Sequence, residues 1–140
     1  MAVPDLSVEM RDEMTSTKRI GIAVVEYHCR YLVGERGPDG VLAGFAEFPG
    51  GKCLDEESPI DCAIRECFEE SGLVVVPERL LQRREFEYPH GRLELFFVLC
   101  HPTREITPDE RYGNFYWETV EGLRRLKFPE GNSDILNLLG

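Results

Sequence analysis

The sequence has little of what marks membrane or nucleic-acid-binding proteins. No run approaches the roughly 20 apolar residues that a spanning helix needs, which excludes membrane insertion. Basic residues are scarce, since 16 Lys and Arg stand against 26 Asp and Glu and give a net charge of −10. Such a field repels a bare phosphate polymer, which argues against polymeric nucleic acid as the main partner. A polyphosphate substrate would have to arrive with divalent cations or meet a local basic group.

The five cysteines form no C-x-x-C pair. Their odd number and scattered positions are typical of reduced thiols in a cytosol rather than of a disulfide framework or a zinc knuckle. The N-terminus lacks an apolar core of the kind a signal peptide needs, so we expect a cytoplasmic protein. The length of 140 residues predicts one domain, at 18–140, after a lead-in at 1–17 that shows no clean period.

The hydrophobic pattern predicts an α/β sandwich with a mixed sheet, because strands stand on both sides of one helix. A hairpin opens the fold, and the Gly- and Pro-containing stretch 34–44 predicts a surface loop. The predicted strands are 19–26, 31–34, 46–48, 73–76, 79–88, 92–100 and 114–119. Short helices are predicted at 120–125 and 133–139, the second capped by Ser133 or Asn132.

A central helix is predicted from 59 to 71 by its boundary signals. Ser58 is placed as the N-cap, Pro59 stands in the first turn, and Gly72 supplies the left-handed stop. Between them an apolar stripe at helical spacing predicts the buried face. Its members are Ile60, Ala63, Ile64, Cys67 and Phe68.

The same helix carries a cluster of carboxylates. Glu66, Glu69 and Glu70 share one face, where like charges repel and the helix C-terminus disfavours anions. A solvated acidic face would normally include lysines, but the only cation of this helix is Arg65. A hard, oxygen-ligated cation such as Mg²⁺ or Mn²⁺ would relieve the repulsion.

The spacing around this cluster reproduces a known motif. Gly51, Glu57 and the run 65–73 stand as in the 23-residue Nudix box, with Cys67 as the sole departure from an aliphatic position. Further segments strengthen the likeness, and over roughly 120 residues the chain resembles the MutT branch of the Nudix hydrolases. These segments are Glu47–Lys52, Phe86–Pro89, Leu95–Val98, Trp117 and Phe128–Asn132.

The resemblance implies a Nudix fold, an α/β/α sandwich in which the box forms a loop-helix-loop. It implies hydrolysis of a nucleoside diphosphate linked to another moiety, with a carboxylate as the base and Arg65 orienting the glutamates beside Glu57. We favour Glu66 as the base and Glu70 as the chief metal ligand, although family members differ on these roles. The implied catalytic residues are Glu66, Arg65 and Glu69, the implied metal ligands are Glu66, Glu69, Glu70 and Gly51, and the structural box residues are Glu57 and Gly72.

The MutT comparison also implies a base pocket. Arg36 would lie near the base or the phosphates, Phe48 would form a wall, and the Asn132 amide would bind the edge of the base. Two alternatives stay open, because Asn132 could instead cap the last helix and Arg36 could be a solvent-facing loop residue. The further acid that some MutT-like enzymes carry would be Glu110 or Glu118, or would be absent.

The leading functional hypothesis is a Mg²⁺-dependent nucleoside triphosphate pyrophosphohydrolase that cleans a nucleotide pool, acting on 8-oxo-dGTP or on CTP. One alternative keeps the chemistry but takes ADP-ribose or a dinucleotide polyphosphate. Another is a non-catalytic nucleotide-sensing module, which would normally have lost box acids that this chain keeps. The expected partner is a small nucleotide rather than a membrane or polymer, and the protein would be a monomer or homodimer.

Overall fold

The structure is a computed structural model that describes residues 17–40, 42–89, 91–107, 109–129 and 131–140. Its strands are β1 (Thr17–Tyr27), β2 (Arg30–Glu35), β3 (Ala46–Glu47), β4 (Gly50–Lys52), β5 (Val75–Tyr88), β6 (Gly91–Pro102) and β7 (Phe115–Thr119). Its helices are α1 (Pro59–Ser71), α2 (Val120–Arg124) and a C-terminal 3₁₀ helix (Ser133–Leu138). Residues 1–16 of the predicted lead-in lie outside the described residues.

The sheet is mixed, as the sequence predicts. Its strands run in the order β3-β2-β1-β6-β5, while β4 pairs with β1 and β7 pairs with β2. β1 and β6 are parallel, and the remaining pairs are antiparallel. The predicted opening hairpin is confirmed, because β1 and β2 pair directly next to their connecting turn.

Apolar side chains cover both faces of this sheet, because successive strand residues point to opposite sides. Val24 faces a core that includes Leu123 and Ile135 from the C-terminal helices. Val25 faces a second core that includes Ala63 and Cys67 of α1. Helices therefore lie on both faces, and the predicted α/β/α sandwich is confirmed. Within the described residues no helix is long and apolar enough to cross a membrane.

The boundaries of α1 match the prediction. Ser58 Oγ accepts the Asp61 N–H at 3.0 Å, and Gly72 ends the helix with a φ of 77°. The predicted buried stripe is partly wrong, because Ile60 and Phe68 are 38% and 54% exposed. The face that packs on the sheet carries Cys62, Ala63 and Cys67 instead.

Close approach of α1 to β1 explains this rotation of the buried face. A Cβ on Gly21 would lie 2.7 Å from the Pro59 carbonyl oxygen and 2.8 Å from the Ala63 amide nitrogen. Only glycine lets the helix backbone come so near to the strand. The small side chains around positions 62 and 63 therefore face the sheet.

Two other predictions need correction. The strands predicted at 73–76 and 79–88 form one strand, β5, because irregularities at Pro77/Arg79 and Leu80/Gln82 absorb the break without ending the pairing with β6. The segment predicted as a C-terminal helix is 3₁₀ in geometry, and Asn132 makes no side-chain capping hydrogen bond there. Asn132 occupies the predicted N-cap position of this segment, but its side-chain amide is not used for capping.

Candidate active site

The loop between β4 and α1 is held from the side of β1 by Arg19. Its guanidinium donates hydrogen bonds to the carbonyl oxygens of Leu54 at 2.8 Å, Asp55 at 3.2 Å and Glu57 at 2.8 Å. The Arg19 carbonyl accepts the Cys53 N–H at 2.8 Å. One residue of the sheet thus fixes both the path of this loop and the position of Glu57.

The other side of the loop is held by Arg65 of α1. Its Nε and Nη2 donate to the two carboxylate oxygens of Glu57 at 2.7 and 2.9 Å, and Nη2 also bonds the Lys52 carbonyl at 3.1 Å. This paired hydrogen bond from Arg65 lowers the pKa of Glu57 to about 2. The same contacts raise the pKa of Arg65, so both groups are ionised at neutral pH.

Arg65 also reaches two of the clustered glutamates. Its Nη1 lies 3.0 Å from an oxygen of Glu69 and 3.3 Å from an oxygen of Glu66. The Glu66 side chain is only 16% exposed, whereas that of Glu69 is 54% exposed. The guanidinium therefore connects the loop, through Glu57, with the carboxylate face of α1.

The backbone of β4 packs against the carboxylate face of α1. A Cβ on Gly51 would lie 2.4 Å from the Glu66 carboxylate carbon, so the carboxylate occupies the space of the missing side chain. The Gly51 carbonyl accepts a hydrogen bond from the Cys62 thiol at 3.3 Å. The resemblance implies Gly51 as a box glycine and a metal ligand, and the structure adds a steric reason for a glycine at this position.

Glu70 lies against the preceding residue of β4. Its Oε1 accepts the Gly50 N–H at 3.0 Å. Although the residue as a whole is solvent-exposed, its carboxylate is partly desolvated. Desolvation raises the pKa of Glu70 to about 7 against the opposing Gly50 hydrogen bond, and the negative charges of Glu47 and Glu66 add to the increase.

The carboxylate oxygens at the C-terminal end of α1 fit a hard divalent cation. Glu66, Glu69 and Glu70 offer carboxylate oxygens beside a glycine backbone that leaves room for them, and such oxygens are the preferred ligands of Mg²⁺ and Mn²⁺. Across the described residues, no group of three or more His, Cys, Asp and Glu side chains already converges as a metal-holding set. Glu66 and Glu69 pair with Arg65, and Glu70 bonds the Gly50 amide.

A cavity of about 370 Å³ lies next to the carboxylate face of α1. The three residues that the sequence assigns to substrate binding, Arg36, Phe48 and Asn132, all line it. Gly50 lines it as well, and its N–H binds Glu70, so the cavity and the carboxylate face share one residue. The other lining residues are Ile20, Ile22, Leu42, Ala46, Glu47, Phe86, Leu93, Leu95 and Pro129.

The walls of the cavity are mainly apolar, with few polar groups. Phe48 stacks on Phe128 with ring centroids 5.2 Å apart, which fixes one wall. Arg36 is exposed, and its Nε lies 3.4 Å from a carboxylate oxygen of Glu47. Glu47 has no assigned role in the sequence prediction beyond its place in the MutT-like segment.

The candidates for a further acid have partners elsewhere. Glu110 bonds Arg104 at 3.1 Å and the Tyr112 hydroxyl at 2.6 Å, and these contacts lower its pKa to about 2. Glu118 accepts the Thr119 N–H at 2.8 Å, at the start of α2. Neither contact connects these acids with the carboxylate face of α1.

Comparison with known proteins places this site in a family. A family model described as NUDIX domain matches residues 21–138. An 8-oxo-dGTP diphosphatase from Proteus vulgaris is 32% identical over 98 residues, covering 67% of this chain and 88% of that protein. The enzyme of the same name from Escherichia coli K12 is 29% identical over 111 residues, covering 75% of this chain and 81% of that protein.

Solved structures agree on the fold. The MutT protein from Methanosarcina mazei Go1 matches with a TM-score of 0.70 and 19% identity, over 89% of this chain and 94% of that one. A MutT protein of the Nudix hydrolase family from methicillin-resistant Staphylococcus aureus 252 matches with a TM-score of 0.71 and 23% identity, over 90% and 97%. The chain therefore belongs to the NUDIX domain family, as a MutT-like Nudix pyrophosphohydrolase.

Proposed function

We propose that this enzyme hydrolyses nucleoside triphosphates, with Mg²⁺ or Mn²⁺, to a nucleoside monophosphate and pyrophosphate, and so removes damaged nucleotides from the pool. The observation that carries the proposal is the shared residue Gly50, which lines the cavity and binds Glu70. A base in the cavity would leave its phosphates beside the carboxylates of α1. The cavity volume of about 370 Å³ is within the range of small-ligand sites.

The proposed chemistry divides between the cation and the side chains. A bound Mg²⁺ or Mn²⁺ would supply positive charge to the phosphate oxygens and activate a water molecule. Glu66, Glu69 and Glu70 would hold the cation, with the Gly51 carbonyl as a further ligand. Glu66 would also take the proton of the attacking water, and Arg65, fixed by Glu57, would keep Glu66 and Glu69 in place.

Recognition of the base would come from Asn132 and from the apolar walls. The Asn132 amide has a donor and an acceptor and is not used as a helix cap, so it can bind the edge of a base. Phe48 would contact the flat face of the base. Arg36, held beside Glu47, would meet the phosphates or a base oxygen.

Among substrates, 8-oxo-dGTP is favoured over CTP. The two curated relatives compared above are both 8-oxo-dGTP diphosphatases and are about 30% identical to this chain. Among the described residues that line the cavity, no contact favours ADP-ribose or a dinucleotide polyphosphate. Because this substrate is a small soluble nucleotide and the five cysteines are free thiols, we place the enzyme in the cytoplasm.

The test is a substrate panel. Release of the nucleoside monophosphate, the product that every member of the panel can give, is measured by chromatography with 8-oxo-dGTP, dGTP, CTP, ADP-ribose and a dinucleotide polyphosphate, with Mg²⁺ and with chelator. We expect release from 8-oxo-dGTP at the highest kcat/KM and none with chelator. The Asn132→Ala variant should raise KM by about tenfold, because one bidentate contact to a base is lost, and leave kcat nearly unchanged. Preference for ADP-ribose would refute the proposed substrate class.

A further inference from the structure

A contact between β5 and the 3₁₀ helix lies beside two residues that line the base cavity, Phe86 and Asn132. The Arg84 guanidinium of β5 forms an ion pair with the Asp134 carboxylate in the first turn of the 3₁₀ helix. The Arg84 Cζ atom also lies 5.2 Å from the ring centroid of Phe86, a residue that lines the cavity. We refer to the Arg84–Asp134 ion pair as the β5 link.

The Phe86 ring packs on Gly131, the residue that precedes Asn132 in the chain. A Cβ on Gly131 would lie 2.7 Å from the Phe86 ring, so the ring packs directly on the backbone that precedes Asn132. Gly131 has a φ of 96°, a conformation that other residues adopt with strain. The distance between the Phe86 ring and the Asn132 amide therefore depends on where the first turn of the 3₁₀ helix lies.

The rest of the 3₁₀ helix is anchored without the β5 link. Ile135 and Leu136 are buried in the core, and Arg124 of α2 bonds the Leu136 carbonyl at 3.4 Å. Asn132 precedes these residues in the chain, its N–H bonds the Pro129 carbonyl at 3.0 Å, and its side chain makes no capping hydrogen bond. Loss of the β5 link should therefore let Asn132 and the first turn of the 3₁₀ helix move, whereas the packing of the core and the free energy of unfolding should stay unchanged.

We propose that the β5 link is a positioning contact for base binding, which holds Asn132 and Phe86 in place for the nucleotide base and has no part in binding the phosphates. This inference rests on the proposed function of the cavity as a base pocket. Arg84 and Asp134 are positioning residues here, since they act through the groups that line the cavity. The chemistry at α1 is expected to proceed at its normal rate once the substrate is bound.

The test uses Arg84→Met, Asp134→Ala and the double variant, with Arg83→Met as the matched control. Arg83 lies on the same strand and pairs with Glu94, and its guanidinium carbon is 5.9 Å from the Phe96 ring centroid. Neither Glu94 nor Phe96 lines the cavity. The control removes a similar arginine pair that does not reach the cavity.

Binding of 8-oxo-dGMP and dGMP is measured by calorimetry, and KM and kcat for 8-oxo-dGTP are measured together. Each single variant should weaken monophosphate binding and raise KM by about three- to fivefold, the size of an exposed ion pair. The double variant should bind the monophosphates no more weakly than Arg84→Met, because Asp134→Ala removes an ion pair that Arg84→Met has already removed. We expect kcat, inhibition by inorganic pyrophosphate and the melting temperature to stay at wild-type values.

The outcomes separate this inference from the proposed function. If wild-type protein binds neither monophosphate, the base pocket itself is refuted and the inference falls with it. If wild-type protein binds them and Arg84→Met binds as well as Arg83→Met, only the role of the β5 link is overturned. Effects that add fully in the double variant, or a fall in kcat at unchanged KM, would also overturn it.

Discussion

Replacement of Gly51 by alanine tests whether the Glu66 carboxylate works at the place where the structure puts it. The added Cβ would lie 2.4 Å from the Glu66 carboxylate carbon, whereas ordinary contact begins at 3.4 Å. The carboxylate must therefore move by about 1 Å. A displacement of that size at a reacting group can cost about 100-fold in rate.

The fold should tolerate the same substitution. All three heavy atoms nearest to the new Cβ belong to the Glu66 side chain, which can rotate away, and Gly51 is not among the described glycines with positive φ. We expect the free energy of unfolding to change by less than about 1 kcal/mol. Urea unfolding and steady-state kinetics of Gly51→Ala measure the two effects separately.

Gly21→Ala is the contrasting variant. Its Cβ would meet the backbone of α1 at Pro59 and Ala63, which cannot rotate away, so we expect a loss of about 1–3 kcal/mol in stability. The reasoning is refuted if Gly51→Ala keeps kcat within a fewfold of wild type. It is also refuted if Gly51→Ala unfolds as easily as Gly21→Ala.

Two further predictions concern the arginines that hold the loop. Arg19→Lys keeps the charge but cannot span three carbonyls, so we expect unfolding to become easier by about 1–2 kcal/mol and kcat to fall at unchanged dGMP affinity. Urea unfolding, kinetics and calorimetry check this, and a parallel loss of dGMP affinity would count against it. The lowered pKa of Glu57, about 2 against an ordinary 4.5, means that its pairing with Arg65 stabilises the fold above pH 4.5 and ceases to do so as pH falls towards 2. Glu57→Gln should therefore lose about 1–2 kcal/mol at pH 7, with the difference in urea midpoint closing near pH 2, and a gap that is constant with pH would exclude this origin.

Local signals made α1 and its acidic face predictable. The N-cap Ser58 and the stop at Gly72 are adjacent in sequence to the helix they bound, and the spacing of Glu66, Glu69 and Glu70 alone places them on one face. The exposure of Phe68 was not predictable in the same way. It depends on Gly21, a residue of a distant strand, which lets α1 approach with its small side chains inward.

The contacts of Arg19 and Arg84 were not predicted from the sequence, because they connect distant parts of the chain. Arg19 bonds carbonyls 35 to 38 residues away, and Arg84 pairs with Asp134 across 50 residues. Backbone carbonyl acceptors leave no mark in a sequence, since every residue has one. The continuity of β5 was missed for a related reason, because a bulge at Pro77 resembles a strand end until its partner β6 is known.

Uptake of a divalent cation by α1 tests the central claim most directly. Mg²⁺ and Mn²⁺ are titrated calorimetrically into wild-type protein, Glu70→Gln and the control Asp61→Asn, which removes an acid from the first turn of the same helix. The account predicts uptake by wild type and Asp61→Asn, and uptake at least tenfold weaker in Glu70→Gln with an unchanged unfolding midpoint. Equal affinity in all three proteins, or no uptake by wild type, would contradict it.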